Sequence, residues 1–506
     1  MSCFHPESIV LVALVTIFFP ILIFLLSPKN RPLIQILPTI FLKSHQLYTK
    51  ITYILTENKG TVLFRTSWFT HTDVLITSNP ANVNHVINSN YSFYQRGSEF
   101  RKAFDFLGQA AFIKDLNEWR DEKRFTHAFY KDQHFRDSTP RIILQTIEEG
   151  LVPVLDHAAL NKQVIDLQAV FNRYMLDATC LLATGFDLAS LRVGFPESPL
   201  LDAMDDISEA VFCRHVLPER VWKIQRWLGI GKEKKFAKAC HVLNRILESY
   251  VSNKYQVMKN NQETGQDFDV LNFYIANNSN NIKKSTKEEM AYLGFNIMTL
   301  FFAGRDTSAA LLTWFFHLIS ENPSVERSIL GEIRKVALTD KIDRDRIYIF
   351  YKAEELVKLV YLQAALTECL RLFPTAPVIM RDPTKEDVLP SGHRVGQRTK
   401  VILCTYAMGR MSEIWGEDWA EFRPERWIDE RGELKRVSSN IFLAFGSGPW
   451  ACPGKEMGFA RMKGVVATIM HNYRVAVVEG QTISLSASAL LTMKHGLKAT
   501  VTKRCV

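Results

Sequence analysis

The chain has 506 residues, of which 47% are hydrophobic and 23% charged, so its composition excludes an intrinsically disordered protein. The 24 glycines and 19 prolines are spread along the chain, which also excludes collagen-like and low-complexity classes. The 8 cysteines lie too far apart for a disulfide-stapled secreted domain, and this favours a reducing compartment. The net charge of +9 comes without a long polybasic run. We therefore expect an acidic partner or a membrane surface, and no nucleic acid.

An apolar stretch near the start of the chain, Ile9–Leu26, is long enough to cross a bilayer core about 30 Å thick at about 1.5 Å per residue. A cleaved signal peptide is the alternative, but Lys29 and Arg31 follow the stretch and no Lys or Arg precedes it. The positive-inside rule then puts Met1–Ser8 in the lumen and the following chain in the cytosol. We therefore expect a single-pass protein of the endoplasmic reticulum membrane. Its predicted parts are a luminal tail and membrane anchor over 1–27, a proline-containing linker over 28–40 and a globular body over 41–506.

Strand-like apolar runs occur early, at Thr61–Phe64 and Asp73–Ile76, and again between Val388 and Leu403. Between about Ser92 and about Leu372, apolar residues recur at the spacing of helix faces, which predicts helices over most of the middle of the chain. The sequence therefore predicts a mainly α fold with a smaller β-rich region and an N-terminal transmembrane helix.

The longest predicted helix covers Ser285–Asn322 and is apolar on nearly all sides, so it should run through the interior of the protein. It contains an unusual polar set, Ala303–Thr307. One interpretation is a polar kink, in which Thr307 bonds to a carbonyl one turn earlier. The other is functional: Gly304 lets a flat group approach the backbone, while Asp306 and Thr307 handle protons there.

A loop rich in glycine and proline, Phe445–Gly454, contains a single cysteine, Cys452. A thiolate surrounded by freed backbone N–H groups is a suitable ligand for a soft metal ion, although a lone cysteine is usually a small buried hydrophobic residue. Gly446, Gly448 and Gly454 provide more backbone freedom than a packed turn requires, and this favours the metal-ligand interpretation.

An acid and a base, Glu368 and Arg371, are spaced i, i+3 on one predicted helix. Surface pairs of this kind are common and contribute only about 0.2–0.5 kcal/mol. The pair gains weight from Arg426, which lies between it and the cysteine loop in the sequence at the spacing of a known buried charge triad.

Together these motifs resemble those of the cytochromes P-450, a family of haem-thiolate mono-oxygenases. The resemblance runs from the anchor to the C-terminus, and the motifs occur in the order of the family. They are the A-G-x-D-T of the long helix at Ala303–Thr307, the E-x-x-R at Glu368–Arg371, the P-E-R at Pro424–Arg426 and the cysteine loop at Phe445–Gly454. The resemblance implies that 41–506 is a haem-thiolate catalytic domain, that haem b is bound with Cys452 as the iron ligand, and that Thr307 and Asp306 deliver protons.

The same resemblance implies which residues contact the cofactor. They are Cys452, Trp119, Lys123, Arg124, Arg381, Phe445 and Trp450. Trp450 is a departure, because the family pattern has an arginine there that pairs with a haem propionate. An indole offers one donor and no charge, and the W-x-x-x-R of the family has Lys123 in place of its arginine. We therefore expect the propionates to depend on other groups, with weaker haem retention or an altered reduction potential as the consequence.

Finer resemblances point to plant families. Phe301–Ala310 and Tyr406–Met411 are similar to the fatty-acid omega-hydroxylase clan. Trp222–Trp227, Gly231–Lys235 and Asp387–His393 look like the family that holds mid-chain alkane hydroxylases and noroxomaritidine synthases. This implies an enzyme that hydroxylates a lipophilic substrate of the long-chain alkane or fatty-acid type with dioxygen. The specific alternative is oxidative phenol coupling in the biosynthesis of Amaryllidaceae alkaloids.

An alternative of another class is a haem-binding protein without turnover, suggested by Trp450 and opposed by the retained pair Asp306 and Thr307. The segments expected to line the substrate pocket are Tyr94–Ile113, Ser208–Val216 and Thr375–Arg381.

The chain has no dinucleotide fingerprint, so its electrons must come from a separate, membrane-bound NADPH-cytochrome reductase. The acidic flavin domain of that partner would dock on a basic face near Cys452. Lys455, Arg461 and Lys463 are the residues expected beside that face.

Overall fold

The computed structural model describes residues 46–65, 72–259, 269–278, 286–339, 350–486 and 488–504. The expected membrane anchor, the proline-containing linker and Ser285 lie outside these ranges. Within them, no helix combines the length and apolar character needed to span a bilayer.

Helices form most of the described chain, as the sequence predicts. In chain order they are α1 Leu47–Glu57, α2 Pro80–Asn84, α3 Gly97–Ala103, α4 Leu116–Lys131, α5 Gln133–Thr146, α6 Val152–Leu160, α7 Leu167–Thr184, α8 Pro199–Val216, α9 Glu219–Leu228, α10 Gly231–Lys259, α11 Val270–Asn278, α12 Thr286–Glu321, α13 Pro323–Thr339, α14 Ala353–Val357, α15 Val360–Leu372, α16 Thr405–Met408, α17 Ser412–Trp415 and α18 Lys455–Asn472.

The strands of the described chain form small sheets. They are β1 Thr61–Phe64, β2 Asp73–Thr77, β3 Tyr94–Gln95, β4 Ile165–Asp166, β5 Ile379–Pro383, β6 Asp387–Val388, β7 Arg394–Val395, β8 Thr399–Leu403, β9 Tyr473–Val477 and β10 Lys498–Lys503. A 5-stranded sheet has the order β1-β2-β8-β5-β3, with β2 and β8 parallel. A second sheet joins β4, β10 and β9, and β6 pairs with β7.

The early strands and those between Val388 and Leu403 lie where the sequence predicts them. The strands β3, β4, β5, β9 and β10 were not predicted. β9 follows α18 without a turn signal between them. In β10 only Ala499 and Val501 are buried, so its alternation is too short to stand out.

The longest helix, α12, has 36 residues and matches the predicted bounds closely. It packs along α7 and also contacts α10, α15 and α18. Its first half contributes Leu293 and Phe301 to a core shared with α8 and α10. Its second half contributes Leu312 and Phe315 to another core shared with α15 and α18. The polar set Ala303–Thr307 therefore lies where the helix passes from one core to the other.

The predicted charge triad of Glu368, Arg371 and Arg426 is present in the structure. Glu368 and Arg371 on α15 are fully buried, and Arg371 Nε and Nη2 donate to the Glu368 carboxylate at 2.7 and 2.8 Å. Arg426 Nε donates to the same carboxylate at 3.2 Å. Arg371 Nη1 also donates to the carbonyl oxygens of Gly409 and Trp419. This single carboxylate therefore ties α15 to the loops that precede the cysteine loop.

Glu368→Gln should destabilise the fold strongly, because it keeps the shape of the side chain but leaves two arginines without their shared counter-charge. Removing one partner of a buried ion pair costs about 3–5 kcal/mol. Thermal unfolding measured by circular dichroism should show a lower midpoint, or no folded protein. The control is Glu430→Gln, an exposed acid in a nearby loop, which should stay within about 0.5 kcal/mol of the parent. Equal midpoints for the two variants would refute the role of the triad.

Candidate active site

Cys452 and Thr307 lie in the wall of one cavity of about 1290 Å³. All three segments expected to line the pocket contribute to it, through residues that include Phe100, His215 and Val378. α1 and the first two strands line it as well. No sequence pattern predicts this, because their contact with the cavity depends on the tertiary fold. The cavity thus brings together residues from both halves of the chain.

The cysteine loop is folded back on itself by backbone hydrogen bonds. The Cys452 N–H donates to the Phe445 carbonyl oxygen at 2.7 Å. Gly446 has a φ of +67°, and a Cβ at this position would lie 2.7 Å from the Trp450 carbonyl oxygen. Only glycine fits such a conformation and such an approach. The loop therefore has a defined shape that exposes Cys452 to the cavity.

The surroundings of the Cys452 thiol act on its charge in opposite directions. Burial raises the pKa of the thiol, while the Gly454 N–H and the charge of Lys455 lower it. Lys455 is also the first residue of α18, and the N-terminus of a helix favours a negative group. The loop thus supplies backbone and charge support for a thiolate, which is the form of cysteine that binds metal ions.

Thr307 faces the cavity from α12, and its Oγ1 donates to the Ala303 carbonyl oxygen at 2.7 Å. This is the bond expected for a polar kink. The lone pairs of the same oxygen stay available to accept a hydrogen bond. Thr307 can therefore bond to the helix backbone, as a polar kink requires, and still handle a proton in the cavity.

Asp306 is not among the described residues that line the cavity. Its carboxylate lies 3.1 Å from Arg305 Nε and accepts a hydrogen bond from Ser208 Oγ on α8 at 3.4 Å. Arg305 also pairs with Asp205 of α8. Burial raises the pKa of Asp306, and the Arg305 charge opposes this shift. The structure thus brings Thr307, but not the Asp306 carboxylate, to the cavity.

Gly304 lines the cavity next to Thr307, and it also contacts α7 closely. A Cβ at this position would lie 2.8 Å from Thr179 Oγ1 on α7. The contact between α12 and α7 is therefore a second reason for glycine here, and the approach of a flat group stays a prediction.

Two of the three basic residues expected on a docking face are buried in α18. Arg461 is 2% exposed and donates to Thr179 Oγ1 at 2.7 Å, and Lys463 is 4% exposed and donates to Gln363 Oε1 at 3.0 Å. The reason is that α18 runs through the core and buries residues on nearly all sides. Lys455 is exposed, as expected.

A pair of buried arginines, Arg96 and Arg381, meets at Trp450 in the cavity wall. Their guanidinium carbons lie 4.9 and 4.8 Å from the centroid of the Trp450 ring. Burial lowers the pKa of Arg96 to about 9, with a further lowering from the charge of Arg381. Burial likewise lowers the pKa of Arg381 to about 10. Burial therefore disfavours the charged form of both arginines, and a nearby anion would stabilise it.

Three buried donors of this group, Arg96 Nη1, Arg381 Nε and Trp450 Nε1, have no hydrogen-bond partner among the described residues. Buried donors without partners are unfavourable. A ligand with carboxylates would satisfy them, and haem carries such groups in its propionates. The residues present therefore fit the predicted cofactor, with Arg96 as a contact that the sequence did not reveal because it belongs to no local motif.

The other residues predicted to contact the cofactor do not all lie in the cavity wall. Trp119 Nε1 and Lys123 Nζ both donate to the Pro449 carbonyl oxygen at 2.8 Å, so they hold the cysteine loop against α4. Trp119 and Phe445 line the cavity. Arg124 is exposed and is not among the described cavity-lining residues.

Residues 27–501 match the family model of cytochrome P-450. The chain belongs to the cytochrome P-450 family. It is 37% identical to alkane hydroxylase MAH1 of Arabidopsis thaliana, over 94% of this chain and 93% of the relative. It is 34% identical to noroxomaritidine synthase of Narcissus aff. pseudonarcissus MK-2014, over 99% of this chain and 97% of the relative. It is 33% identical to cytochrome P-450 86B1 of Arabidopsis thaliana, over 94% of this chain and 85% of the relative.

This cytochrome P-450 is therefore a plant mono-oxygenase of the fatty-acid omega-hydroxylase-like group. The family implies haem with thiolate-ligated iron, a redox partner that supplies electrons and a lipophilic substrate. The predicted P-450 fold and enzyme class are confirmed, and the alternative of a haem-binding protein without turnover loses its basis.

Arg96→Met should weaken haem binding, because it removes a buried cation and one of the three donors that have no partner among the described residues. A hydrogen bond to a charged group contributes about 1.5–3 kcal/mol, so haem transfer to apomyoglobin should become about tenfold faster or more. Arg120→Met, at an exposed position of α4, is the control and should leave the transfer rate unchanged. If both variants kept the parent rate and haem content, Arg96 would have no part in the cofactor site.

Proposed function

We propose that this cytochrome P-450 binds haem b through Cys452 and hydroxylates a lipophilic substrate of the long-chain alkane or fatty-acid type. The observation that carries this proposal is the cavity of about 1290 Å³, which has Cys452 in one part of its wall and Thr307 in another. The Arabidopsis relative is an alkane hydroxylase, which supports the substrate class. Thiolate-ligated haem iron, when bound, supplies the activation of dioxygen.

The protein's own residues would act around that group in distinct ways. Arg96 and Arg381 would hold the propionates through the donors that lack partners in the described chain. Thr307 Oγ1, which donates to Ala303, would accept from a water molecule and so orient its protons toward the reacting centre. Asp306 would join this relay after leaving Ser208 and Arg305.

The substrate would lie in the apolar part of the cavity. α1 and the first strands supply Leu47, Ile51, Phe64 and Val74 to its wall. Side chains of this kind contribute apolar contact without directional bonds, which suits an alkyl chain. Apolar walls also exclude water from the reacting carbon.

We also propose the membrane arrangement expected from the sequence, with an anchor within 1–27, a linker over 28–40 and a cytosolic catalytic domain at the endoplasmic reticulum. Support comes from α9, which exposes Trp227 by 83%, Ile224 by 56% and Leu228 by 51%. An amphipathic helix with exposed tryptophan suits a membrane interface. Arg220 and Lys223 of the same helix line the cavity, so a lipophilic substrate would enter from that side.

Electrons would come from an NADPH-cytochrome reductase that docks near the cysteine loop. Lys455 is exposed at the end of that loop, and Arg120 and Arg124 are exposed on α4. Lys123 of α4 contacts the loop directly, so these cations flank it. Basic side chains in this position suit an acidic flavin domain.

Turnover of defined substrates tests the function. Microsomes that hold the full chain and a plant NADPH-cytochrome reductase are supplied with n-hexadecane or palmitate, and the products are measured by mass spectrometry. We expect NADPH-dependent hydroxylated products. Cys452→Ser is the control: it should form none and should lose the reduced carbon-monoxide band of thiolate-ligated haem, because a serine oxygen is a poorer ligand than a thiolate for this iron. No product from either substrate in the parent would contradict the proposed class.

Oxidative phenol coupling is the second candidate, and an aromatic part of the cavity favours it. Phe100, Phe104 and Phe112 line this part, with ring centroids 4.6–5.6 Å apart. The Narcissus relative, a noroxomaritidine synthase, supports the same chemistry. The same microsomes supplied with a phenol such as 4-butylphenol test this candidate. NADPH-dependent coupled phenol products, with hexadecane and palmitate left unchanged, would select it.

Thr307→Ala should uncouple electron use from product formation. General acid–base groups contribute about 10²–10⁴ in rate, so product per NADPH should fall sharply while hydrogen peroxide release rises and haem content stays unchanged. Thr313→Ala is a matched control, because Thr313 makes the same bond to a carbonyl one turn earlier, at 2.8 Å, in the same helix. Unchanged coupling in Thr307→Ala, or equal uncoupling in both variants, would reduce Thr307 to a helix-kink residue.

A further inference from the structure

His215, at the C-terminal end of α8, faces the cavity from among aromatic rings. Its ring centroid lies 5.5 Å from that of Phe104 and 6.5 Å from that of Phe100, both in edge-to-face arrangements. Phe212, one turn earlier on the same helix, lines the cavity too. A polar ring is thus held in the aromatic part of the substrate cavity.

The hydrogen-bonding pattern of His215 defines which nitrogen carries the proton. Nδ1 lies 2.7 Å from the Val211 carbonyl oxygen, and a carbonyl oxygen only accepts, so Nδ1 must donate. In a neutral imidazole the other nitrogen, Nε2, is then an acceptor. Burial, helped by the charges of Lys400 and Arg214, lowers the pKa of His215 to about 4, while the hydrogen bond to Val211 and the charge of Glu99 oppose the shift. The ring is therefore neutral near pH 7.

Nε2 has no hydrogen-bond partner among the described residues, since the bond to Val211 is the one His215 makes there. Among the described residues, Nε2 is not one of the buried polar atoms that lack a partner, so it is accessible to solvent. Because His215 lines the cavity, Nε2 is open to the cavity. A fixed acceptor in apolar surroundings binds a donor selectively, because an analogue without that donor leaves the acceptor unpaired.

We infer that His215 Nε2 accepts a hydrogen bond from a substrate hydroxyl, so that the enzyme prefers an apolar molecule bearing an O–H group to its matched hydrocarbon or ether. This inference rests on the proposed function for its lipophilic substrate site, and it moves the preferred substrate from the hydrocarbon or fatty acid to a lipophilic alcohol or phenol. An aliphatic alcohol and a phenol share the required donor. The aromatic neighbours of His215 suit a phenol ring, and the apolar wall of α1 suits an alkyl chain.

A carboxylate is a poorer candidate for this part of the cavity. An ionised carboxylate has acceptors only and offers nothing to Nε2. Three lysines that line the cavity near α3, α9 and β8 are paired with acids: Lys102 and Lys223 with Glu219, and Lys400 with Glu99. A carboxylate at the end of a substrate would therefore contact Glu219 or Glu99 as well as the lysines, and the like charges would repel.

The test measures binding of matched probes to the purified full-length holoenzyme by the shift of the haem absorption band. The aliphatic probes are 1-dodecanol and n-dodecane, and the aromatic probes are 4-butylphenol and 4-butylanisole. His215→Phe keeps an aromatic ring of similar size and removes the acceptor. It should weaken binding of one or both hydroxyl probes about tenfold, the equivalent of about 1.4 kcal/mol, and should leave dodecane and butylanisole within about twofold.

Two further variants make this result specific. His215→Gln retains an acceptor oxygen and should recover part of the lost affinity for the hydroxyl probes. His241→Phe, at an exposed position of α10, should bind all four probes like the parent. An intact reduced carbon-monoxide band in each variant shows that the site is folded, and His215→Gln provides the comparison if His215→Phe does not fold.

The outcomes separate the inference from the function on which it rests. Loss confined to butylphenol assigns the hydroxyl to a phenol, and loss confined to dodecanol assigns it to an alcohol. Unchanged affinity of His215→Phe for both hydroxyl probes overturns the inference, while hydroxylation of a hydrocarbon would leave the proposed function standing. If the parent binds none of the four probes, both the inference and the proposed lipophilic substrate class fail.

Discussion

The site depends on two arginines held in the protein interior without an ion pair to a described carboxylate. Arg96 and Arg381 lie 4.9 and 4.8 Å from the centroid of one indole ring, and each repels the other's charge. An arginine at position 450 would add a third cation to this group, whereas the ring of Trp450 attracts guanidinium groups. The departure from the family pattern at Trp450 is thus matched by the presence of Arg96, and an anionic cofactor would complete the charge balance.

Rigid contacts around this charged wall keep its shape. Glu368 is the shared acceptor of a buried network that joins α15 to the later loops. At Gly409 a Cβ would lie 2.0 Å from the Arg371 carbonyl oxygen, so glycine is required for the loop to approach α15. The cysteine loop is held from the opposite side, where Trp119 and Lys123 of α4 donate to its backbone. Hydrogen bonds from buried side chains and one close backbone contact therefore hold the cysteine loop and the loops before it in place.

Features encoded in short segments were predictable, and features made by distant segments were not. The bounds of α12, the cysteine loop and the charge triad follow from local spacing, and the structure has all three. Arg96 and His215 lie in two of the segments expected to line the pocket, but no local pattern assigns Arg96 to the cofactor or His215 to a hydrogen-bonding role. Arg461 and Lys463 were misjudged because charge suggested exposure, while their helix buries nearly every face. The sequence therefore predicted the motif residues of the site better than it predicted which charged residues are exposed.

One helix would link the proposed substrate recognition to the proposed proton relay. α8 carries His215 at its C-terminal end, and it also carries Ser208 and Asp205, which contact Asp306 and Arg305 on α12. A shift of α8 large enough to break the 3.4 Å bond from Ser208 Oγ would also change the distance from His215 to any molecule bound beside it. A substrate that held His215 would then also restrict the partners of Asp306, because both belong to the same helix. Through α8, substrate binding would therefore affect how freely the Asp306 carboxylate can move.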